Sequence, residues 1–427
     1  MSKMNRLQKL KIEDFLIGII IFFVPYTKFR IAGLKMSEIL TIGLVLIEVT
    51  EKRVKIRKKS MAFMFVICFS TIITASAIIS FFDPINKYVY GIQQGVFYSF
   101  EYGWIMKTVR LIIVFMFMLS VKAFCKKENG MENICNVYIL SNVLIDICIS
   151  VDSIKRHNLI VGVTRNVAMA VEPAEAGFIN CIAIVFSFFL FLNEKTKIRK
   201  SKRIIELLIL IMGQLVIGST GSLVALAGAI VISACVFLLK KKEKIAYKFI
   251  QVGLIFILGL VGCTVLIQKT SILDKIINYK YFMNVEGSSV AERLGAITTC
   301  IEIFKQRPIL GVGFGNYGWY IAHFITTDLY KYVPGGAFQP NNQYFQLLAE
   351  VGIVGALVYL AFIYGITKEI IKEMNKGTAV SLWKGTFLLC LCAYFLIHNF
   401  TLPTLYSFQF WILSAFVECL EEKQYDR

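Results

Sequence analysis

Two segments in the last third of the chain say most about its architecture. The sequence reads RPILGVGFGN at residues 307–316 and PNNQYFQLLAEVGIVG at residues 340–355. Asn342, Gln346 and Glu350 recur every fourth residue, so they share one face of a predicted helix that is otherwise apolar. A carboxylate inside a membrane helix costs ~2.5–3.5 kcal/mol and usually faces a partner or a wet cavity. Glu350 is therefore a candidate site residue, and the alternative is a hydrogen bond that orients this helix.

The rest of the chain is apolar enough to belong in a membrane. Of its 427 residues, 57% are hydrophobic and 17% are charged, and the mean hydropathy is +0.68. A membrane helix needs about 20 apolar residues, and the chain contains about twelve stretches near that length. They lie at 13–27, 36–50, 61–82, 104–124, 134–152, 174–193, 204–218, 222–239, 249–267, 345–367, 385–399 and 405–420. The sequence therefore predicts an all-α, polytopic membrane protein with about twelve transmembrane helices.

The basic residues are distributed along the chain as expected for a membrane protein. Lysine and arginine number 46 against 28 acidic residues, a net charge of +18, which in a soluble protein would suggest nucleic-acid binding. Here the basic clusters fall on alternate predicted connections, at 52–59, 122–127, 195–203, 240–248 and 368–384. This is the positive-inside pattern. It predicts that both termini are cytoplasmic and argues against nucleic acid as a partner.

The predicted helices divide the chain into three parts. Residues 1–267 hold the first nine transmembrane helices, residues 268–344 form one long exocytoplasmic loop, and residues 345–427 hold the last three. Within the loop, Ser288 and Ser289 can cap an amphipathic helix that Pro308 ends. Its apolar side chains are expected on one face, at Val290, Leu294, Ile297, Ile301 and Phe304.

The glycines of the first segment admit two interpretations. Gly313, Gly315 and Gly318 satisfy the nucleotide fingerprint G-x-G-x-x-G, but they follow a predicted helix end rather than a strand, so this match is weak. Flexible glycines that lead into the aromatic residues Tyr317, Trp319 and Tyr320 fit a loop that faces sugar or the membrane interface. We expect the second arrangement.

Both segments resemble the signature loop and following helix of the O-antigen ligase / Wzy-type polysaccharide polymerase superfamily of bacterial membrane glycosyltransferases. The resemblance covers residues 160–366 and is strongest over 293–355. It implies a GT-C-like, metal-independent enzyme without a cofactor, which joins glycans carried by undecaprenyl pyrophosphate outside the cytoplasmic membrane. The implied partners are that lipid-linked oligosaccharide and the bilayer, and a flippase and a chain-length regulator of the same pathway are further candidates.

Such a reaction needs cations that hold the departing pyrophosphate, a task that suits arginine. Arg165, ahead of the sequence EPAE at residues 172–175, resembles the family's arginine before a turn that contains proline. Arg293 resembles the family's second essential arginine, which engages the lipid pyrophosphate. The alternative for both is a contact with lipid headgroups. Lys107 and Arg110, near the end of the fourth predicted span, are expected to snorkel to the membrane interface.

The family's proposed base is a histidine, and Asn341 stands at that position, in the sequence NNQY at residues 341–344. Asparagine can orient a hydroxyl but cannot act as a general base at neutral pH. His323 and His398 could supply an imidazole. The candidate catalytic residues are Asn341, Asn342, Glu350, His323 and His398, with Glu172 and Asp328 as further carboxylates.

The sequence STGS at residues 219–222 resembles a serine- and glycine-rich turn of the same family. A serine nucleophile there would need a base, and the sequence indicates none, so we interpret the segment as a turn.

Three functions remain open at this point. A polymerase that extends a surface polysaccharide is favoured, because Asn341 replaces the ligase-type histidine. An O-antigen-ligase-like transfer of a finished glycan to an acceptor is the nearest alternative. A flippase for lipid-linked oligosaccharide is the alternative of another class, and it predicts repeated halves, broken helices and short external loops.

Overall fold

The computed structural model describes residues 2–31, 33–50, 60–81, 104–155, 169–240, 289–317 and 340–425. A short antiparallel hairpin, β1 (Arg30–Ile31) with β2 (Leu34–Lys35), is the one sheet among these residues. The helices are α1 (Ser2–Phe23), α2 (Met36–Thr50), α3 (Met61–Phe81), α4 (Trp104–Cys125), α5 (Gly130–Lys155), α6 (Pro173–Asn193), α7 (Lys197–Ile217), α8 (Thr220–Lys240), α9 (Ser289–Gln306), α10 (Gln343–Met374), α11 (Ala379–His398) and α12 (Phe408–Tyr425).

Six helices of the described residues are long and apolar enough to cross a membrane, namely α4, α5, α6, α8, α10 and α11. Shorter apolar helices at Met36–Ile47, Met61–Ser76 and Phe408–Leu420 match three more of the predicted stretches. The prediction of an all-helical polytopic membrane protein is therefore confirmed. The count of twelve spans stays a prediction, and the stretch at 249–267 lies outside the described residues.

The helix expected within the long loop is present as α9. It ends at Gln306, two residues before Pro308, as the proline predicts. The side that packs differs from the apolar face we expected: Leu294 and Ile301 are each 36% exposed, whereas Ala296 and Cys300 are buried. Thr299 and Ile303 are buried on the same side, and α9 packs against α10. The division of the chain at 267 and 344 stays a prediction, because most of the loop is not among the described residues.

Helix α10 lies at the centre of the described bundle, against α3, α9, α11 and α12. Phe65 of α3 stacks on Phe362 of α10 with 4.4 Å between the ring centroids, and Trp411 of α12 lies beside Phe65. The indole N–H of Trp411 donates to the carbonyl oxygen of Leu405 at 2.8 Å, so this buried aromatic leaves no polar atom without a partner. These contacts fix α10 against the helices whose ends form the site.

Candidate functional site

A polar cavity of about 220 Å³ lies at one end of the bundle, hereafter the cavity end. The hairpin, the starts of α4 and α6, and the turns that precede α10 and α12 meet there. Seven charged side chains line the cavity, the basic Arg30, Lys35, Lys107 and Arg110 and the acidic Glu38, Glu172 and Glu175. Such a concentration of ionisable groups in a membrane protein indicates a functional site.

The hairpin brings two cations together at the cavity. Gly33 has φ 80°, a conformation that glycine adopts without strain and that closes the tight turn. Arg30 is paired directly opposite Lys35, so the two side chains leave the hairpin on the same face. The Nζ of Lys35 lies 3.2 Å from an oxygen of Glu175. The Nε of Arg30 donates to the carbonyl oxygen of Thr27 at 3.1 Å.

Two of the three cavity carboxylates, Glu175 and Glu38, form hydrogen bonds and ion pairs with the neighbouring elements. Besides Lys35, Glu175 accepts hydrogen bonds from the Thr27 hydroxyl at 2.8 Å and from the Val171 N–H at 3.1 Å. Glu38 accepts from the backbone N–H of Lys35 at 2.7 Å and pairs with the Nε of Arg110 at 3.2 Å. These contacts join the hairpin to α4 and α6.

Glu172 differs from the other two carboxylates. It precedes Pro173, the first residue of α6, in an extended conformation, and its side chain makes no capping hydrogen bond. Burial, and then the negative charge of Glu175, raise the pKa of the Glu172 carboxyl, and Arg293 opposes this shift to a smaller extent. Among the described acids of the cavity, Glu172 is therefore the best suited to accept a proton near neutral pH. Arg293 also interacts electrostatically with His398, so it lies near this end of the bundle.

Glu350 is completely buried next to the cavity. One carboxylate oxygen lies 3.3 Å from the Nζ of Lys107 and accepts the backbone N–H of Tyr317 at 3.3 Å. The other accepts the amide Nε2 of Gln346 at 3.2 Å, which is the predicted spacing of four residues on one helix face. Because Lys107 also lines the cavity, this ion pair connects the cavity wall to the interior of α10.

The expectation that Lys107 and Arg110 snorkel to the interface is wrong. Lys107 is 5% exposed and pairs with Glu350, which lies 243 residues further along the chain. Arg110 pairs with Glu38 and donates from Nη2 to the carbonyl oxygen of Gly33 at 2.7 Å. Both cations find their partners through the tertiary fold, so no local pattern of the sequence indicates them.

Residues 307–316, hereafter the docking loop, insert into a break in α10. At Gly352 the backbone leaves the helix, with φ 64° and ψ −168°. The Ile353 N–H donates to the carbonyl oxygen of Pro308 at 2.8 Å, and the Val354 N–H donates to that of Ile309 at 3.3 Å. The loop thus supplies acceptors for N–H groups that begin the second half of the helix.

The same loop also satisfies the first half of α10. The N–H groups of Val312 and Gly313 donate to the carbonyl oxygens of Ala349 and Glu350 at 3.0 and 2.9 Å. Gly311 has φ 66°, and a Cβ there would lie 2.4 Å from the Glu350 carbonyl carbon. Only a glycine lets the loop approach the helix this closely.

The expectation of a flexible loop that faces sugar or the membrane interface is wrong for residues 311–317. All of them are buried, and Tyr317 is 1% exposed. Left-handed backbone at Gly311, Gly313 and Gly315 serves close packing rather than mobility. Trp319 and Tyr320 lie outside the described residues.

The two neighbouring asparagines occupy different positions. Asn342 is the N-cap of α10, and its Oδ1 accepts the N–H groups of Tyr344 and Phe345 at 3.1 and 3.2 Å. Asn341 is half-buried and lines the cavity. Of the pair, Asn341 is thus the one that a ligand in the cavity can contact.

His398, at the end of α11, is fully buried. Its Nε2 lies 3.1 Å from the Ser222 hydroxyl, which lies 2.9 Å from the Ser219 hydroxyl. The serine turn therefore has a neighbouring imidazole that the sequence did not indicate. The His398 ring packs on Phe178, which lines the cavity, with 4.9 Å between ring centroids. His398 thus stands behind the cavity wall.

Three residues predicted for the site, Arg165, His323 and Asp328, lie outside the described residues. Conversely, Arg30, Lys35 and Glu38 line the cavity and were not predicted. The sequence does contain a feature that could have indicated them, because residues 28–38 place four charges where two apolar stretches meet. Charges concentrated at the end of a membrane helix need either lipid headgroups or partners within the protein, and Lys35 and Glu38 have such partners in Glu175 and Arg110.

The bundle and its charged cavity define a multi-pass membrane protein with a polar site at one end. Residues 205–360 match the family model described as O-antigen ligase. This match confirms the resemblance to the O-antigen ligase / Wzy-type superfamily and supports an enzyme. It begins within α7 and continues through α8, α9 and the docking loop into α10, whereas the charged cavity residues precede it. No curated protein matches the chain.

Proposed function

We propose that the protein is a polysaccharide polymerase that joins undecaprenyl-pyrophosphate-linked oligosaccharide repeat units. The observation that carries this proposal is the cavity with four basic side chains, two of them arginines. Lys35, Arg110 and Lys107 each have a carboxylate partner, namely Glu175, Glu38 and Glu350. Arg30 and the nearby Arg293 add positive charge at this end of the bundle, which suits an anionic ligand. Arginine binds phosphate oxygens in a bidentate manner, and a pyrophosphate is the anion that a lipid-linked sugar donor carries.

In the proposed reaction the bond between the anomeric carbon of the donor and its pyrophosphate oxygen breaks. The acceptor hydroxyl oxygen bonds to that carbon, and its proton passes to a carboxylate. Arg30, Lys35 and Arg293 stabilise the negative charge that develops on the departing pyrophosphate. Glu172 takes the proton, because its raised pKa suits a general base. Asn341 orients the acceptor hydroxyl from the position that a histidine holds in the family.

The cavity end is proposed to face outward from the cytoplasmic membrane. Helix α4 begins at the cavity, and the basic cluster 122–127 follows at its opposite end. The cluster at 195–203 likewise separates the far ends of α6 and α7. Because basic residues concentrate on the cytoplasmic side, this arrangement favours an exocytoplasmic site and cytoplasmic termini.

Two alternatives remain testable. An O-antigen-ligase-like transfer would use the same cavity with a different acceptor, and Asn341 in place of the family's histidine favours polymerisation over it. A flippase is the other alternative, and the break at Gly352 is one feature it predicts. That break is filled by the docking loop, so it offers no substrate a site. This observation favours an enzyme.

The proposed activity is tested by deletion of the gene in its host. Surface glycan is resolved on a gel, with the lipid-linked intermediates examined in parallel. We expect loss of the long ladder, while single repeats are still exported and attached. Long chains that stay on the lipid carrier would establish ligation instead. Repeat units trapped on the cytoplasmic side would establish a flippase.

The proposed base is tested by the pH profile of the purified enzyme. A base works in its ionised form, so activity should rise with pH through the pKa of Glu172, and burial moves that limb above the range of an ordinary glutamate. Glu172→Gln should remove the limb and most of the activity. A residual activity with an unchanged limb would assign the proton to another group. Addition of a chelator should leave the wild-type rate unchanged if the reaction is metal-independent.

A further inference from the structure

An apolar groove of about 450 Å³ lies between α7 and α8, well away from the charged cavity. The two helices are joined by a tight turn in which Gly218 adopts φ 66°. Beyond the turn α7 packs against α5 and α6, whereas α8 packs mainly against α11. The helices therefore diverge, and Phe188 of α6, Leu207 and Ile211 of α7, and Ile230 of α8 line the space between them.

Two lysines continue the groove at the end of the bundle opposite the cavity. Lys200 lies seven residues before Leu207 on α7, and Lys240 lies seven residues after Ser233 on α8. Seven residues are nearly two helical turns, so each lysine lies within about 20° of a groove residue on its own helix. Both lysines are exposed, and the Nζ of Lys240 donates to the neutral Oδ1 of Asn375 at 2.6 Å. They form a basic mouth in line with the apolar groove.

Two acidic residues near this mouth, Glu194 and Glu206, are paired with basic residues of α7. Glu194 lies within 4.0 Å of Arg199 and 3.8 Å of Arg203. Glu206 pairs with Arg203 at 2.8 Å and with Lys202 at 3.7 Å. Their charge is therefore largely compensated, and the mouth keeps a positive character that complements an anion.

The depth of the groove matches one leaflet of a bilayer. From Lys200 to Ile211 the helix rises about 16 Å, and half of the hydrocarbon thickness is about 15 Å. Trp383 lines the groove and is 37% exposed, and its ring lies 4.7 Å from that of Phe237. Tryptophan concentrates where hydrocarbon meets headgroups. The apolar channel, the interfacial tryptophan and the two cations thus follow one another in the same order as the acyl chain, the interfacial region and the phosphate of a phospholipid.

We propose that this groove binds one anionic phospholipid, with an acyl chain between α7 and α8 and its phosphate at Lys200 and Lys240. A zwitterionic lipid fills the same channel but carries no net charge for the lysines to attract. The site is separate from the proposed glycosyl-transfer cavity, so it can be tested without reference to that activity.

The test is native mass spectrometry of the full-length protein in mild detergent, titrated with phosphatidylglycerol or with phosphatidylcholine of the same acyl chains. We expect one phosphatidylglycerol to bind in preference. Loss of each lysine charge should weaken that binding roughly five-fold. The double variant Lys200→Gln/Lys240→Gln measures this, and Lys202→Gln, on another face of α7, is its control.

A second pair of variants tests the channel. Ala234→Trp fills the groove and should abolish binding, whereas Ile232→Trp, on an exposed part of α8, should leave it unchanged. Equal binding of the two lipids, or binding that the lysine variants do not alter, would overturn the proposal. A lipid adduct that survives Ala234→Trp would show that the lipid binds elsewhere, which would also overturn the proposal. If the melting temperature of that variant also fell, a further segment of this chain would be the occupant of the groove.

Discussion

Helix α4 carries a buried ion pair near each end, and the two pairs differ in what surrounds them. Lys107 pairs with Glu350 of α10 beside the polar cavity, and Lys122 pairs with Glu418 of α12 at the opposite end. The lysines are 15 residues apart, about 22 Å along the helix. At Glu418 one oxygen meets Lys122 at 2.6 Å, and the other accepts the Ser60 hydroxyl and the Ala62 N–H.

The difference separates a structural ion pair from one that is linked to a site. These contacts of Glu418 come from the start of α3 and the last turns of α4, and neither Lys122 nor Glu418 lines a described cavity. Glu350 instead meets a cavity residue on one side and the docking loop on the other, through Tyr317. A change at Glu418 should therefore alter stability alone, while a change at Glu350 should alter the geometry of the site.

The largest effect is expected from the carboxylates themselves. Glu350→Gln and Glu418→Gln each leave a buried lysine without its counter-charge, which costs about 3–5 kcal/mol. Both variants should lower the yield and the melting temperature of the purified protein. Only Glu350→Gln should also abolish polymer formation by the fraction that folds. Equal activity per folded molecule in the two variants would remove the distinction between the pairs.

The docking loop is tested next, by alanine at two glycines with positive φ. Gly352→Ala places a Cβ 2.3 Å from the Ile309 carbonyl oxygen, whereas Gly377, at φ 77°, has open space around it. Strain in the left-handed region costs about 1–2 kcal/mol at either position, and overlap adds about 1–3 kcal/mol at Gly352. Thermal unfolding should therefore separate the two variants, with Gly377→Ala as the control. Similar melting temperatures would contradict the docked arrangement.

A smaller effect, confined to activity, is expected from Arg30→Gln. Loss of one charge-assisted hydrogen bond to the pyrophosphate costs about 1.5–3 kcal/mol, so the polymerisation rate should fall at least ten-fold. Lys28→Gln is the control, because Lys28 is an exposed cation of the same connection and does not line the cavity. An equal loss in both variants would point to the net charge of the surface rather than to the cavity.

The smallest effect is expected at the adjacent asparagines. Asn341→Ala should slow polymerisation only several-fold, because the residue orients a hydroxyl and carries no charge. Asn342→Ala should instead cost about 0.5–2 kcal/mol of stability, because it removes the cap of α10, and should leave the rate per folded molecule unchanged. The reverse pattern would exchange the roles assigned to the two residues.

The sequence predicted features that depend on neighbouring residues. Helical spacing indicated that Gln346 and Glu350 share a face, and Pro308 indicated the end of α9. The apolar stretches indicated the membrane bundle. Each of these follows from the period of a helix or from backbone sterics, which a single segment contains.

Features that depend on distant residues could not be predicted. The partners of Lys107 and Lys35 lie 243 and 140 residues away. The glycines of the docking loop were misinterpreted as flexible because their partner, the broken backbone of α10, follows some 40 residues later. A glycine at positive φ serves a mobile loop and a tightly packed one equally well, so only the tertiary contact distinguishes the two.

The break at Gly352 has a consequence for the order in which the chain is assembled. Residues 307–316 are synthesised before α10, yet the Ile353 and Val354 N–H groups depend on them for acceptors. An apolar medium penalises each N–H left without a partner, so the two halves of α10 cannot be completed by insertion alone. Return of the earlier segment onto the later helix is then the step that finishes the bundle, so insertion of α10 and completion of its backbone hydrogen bonds are two separate events.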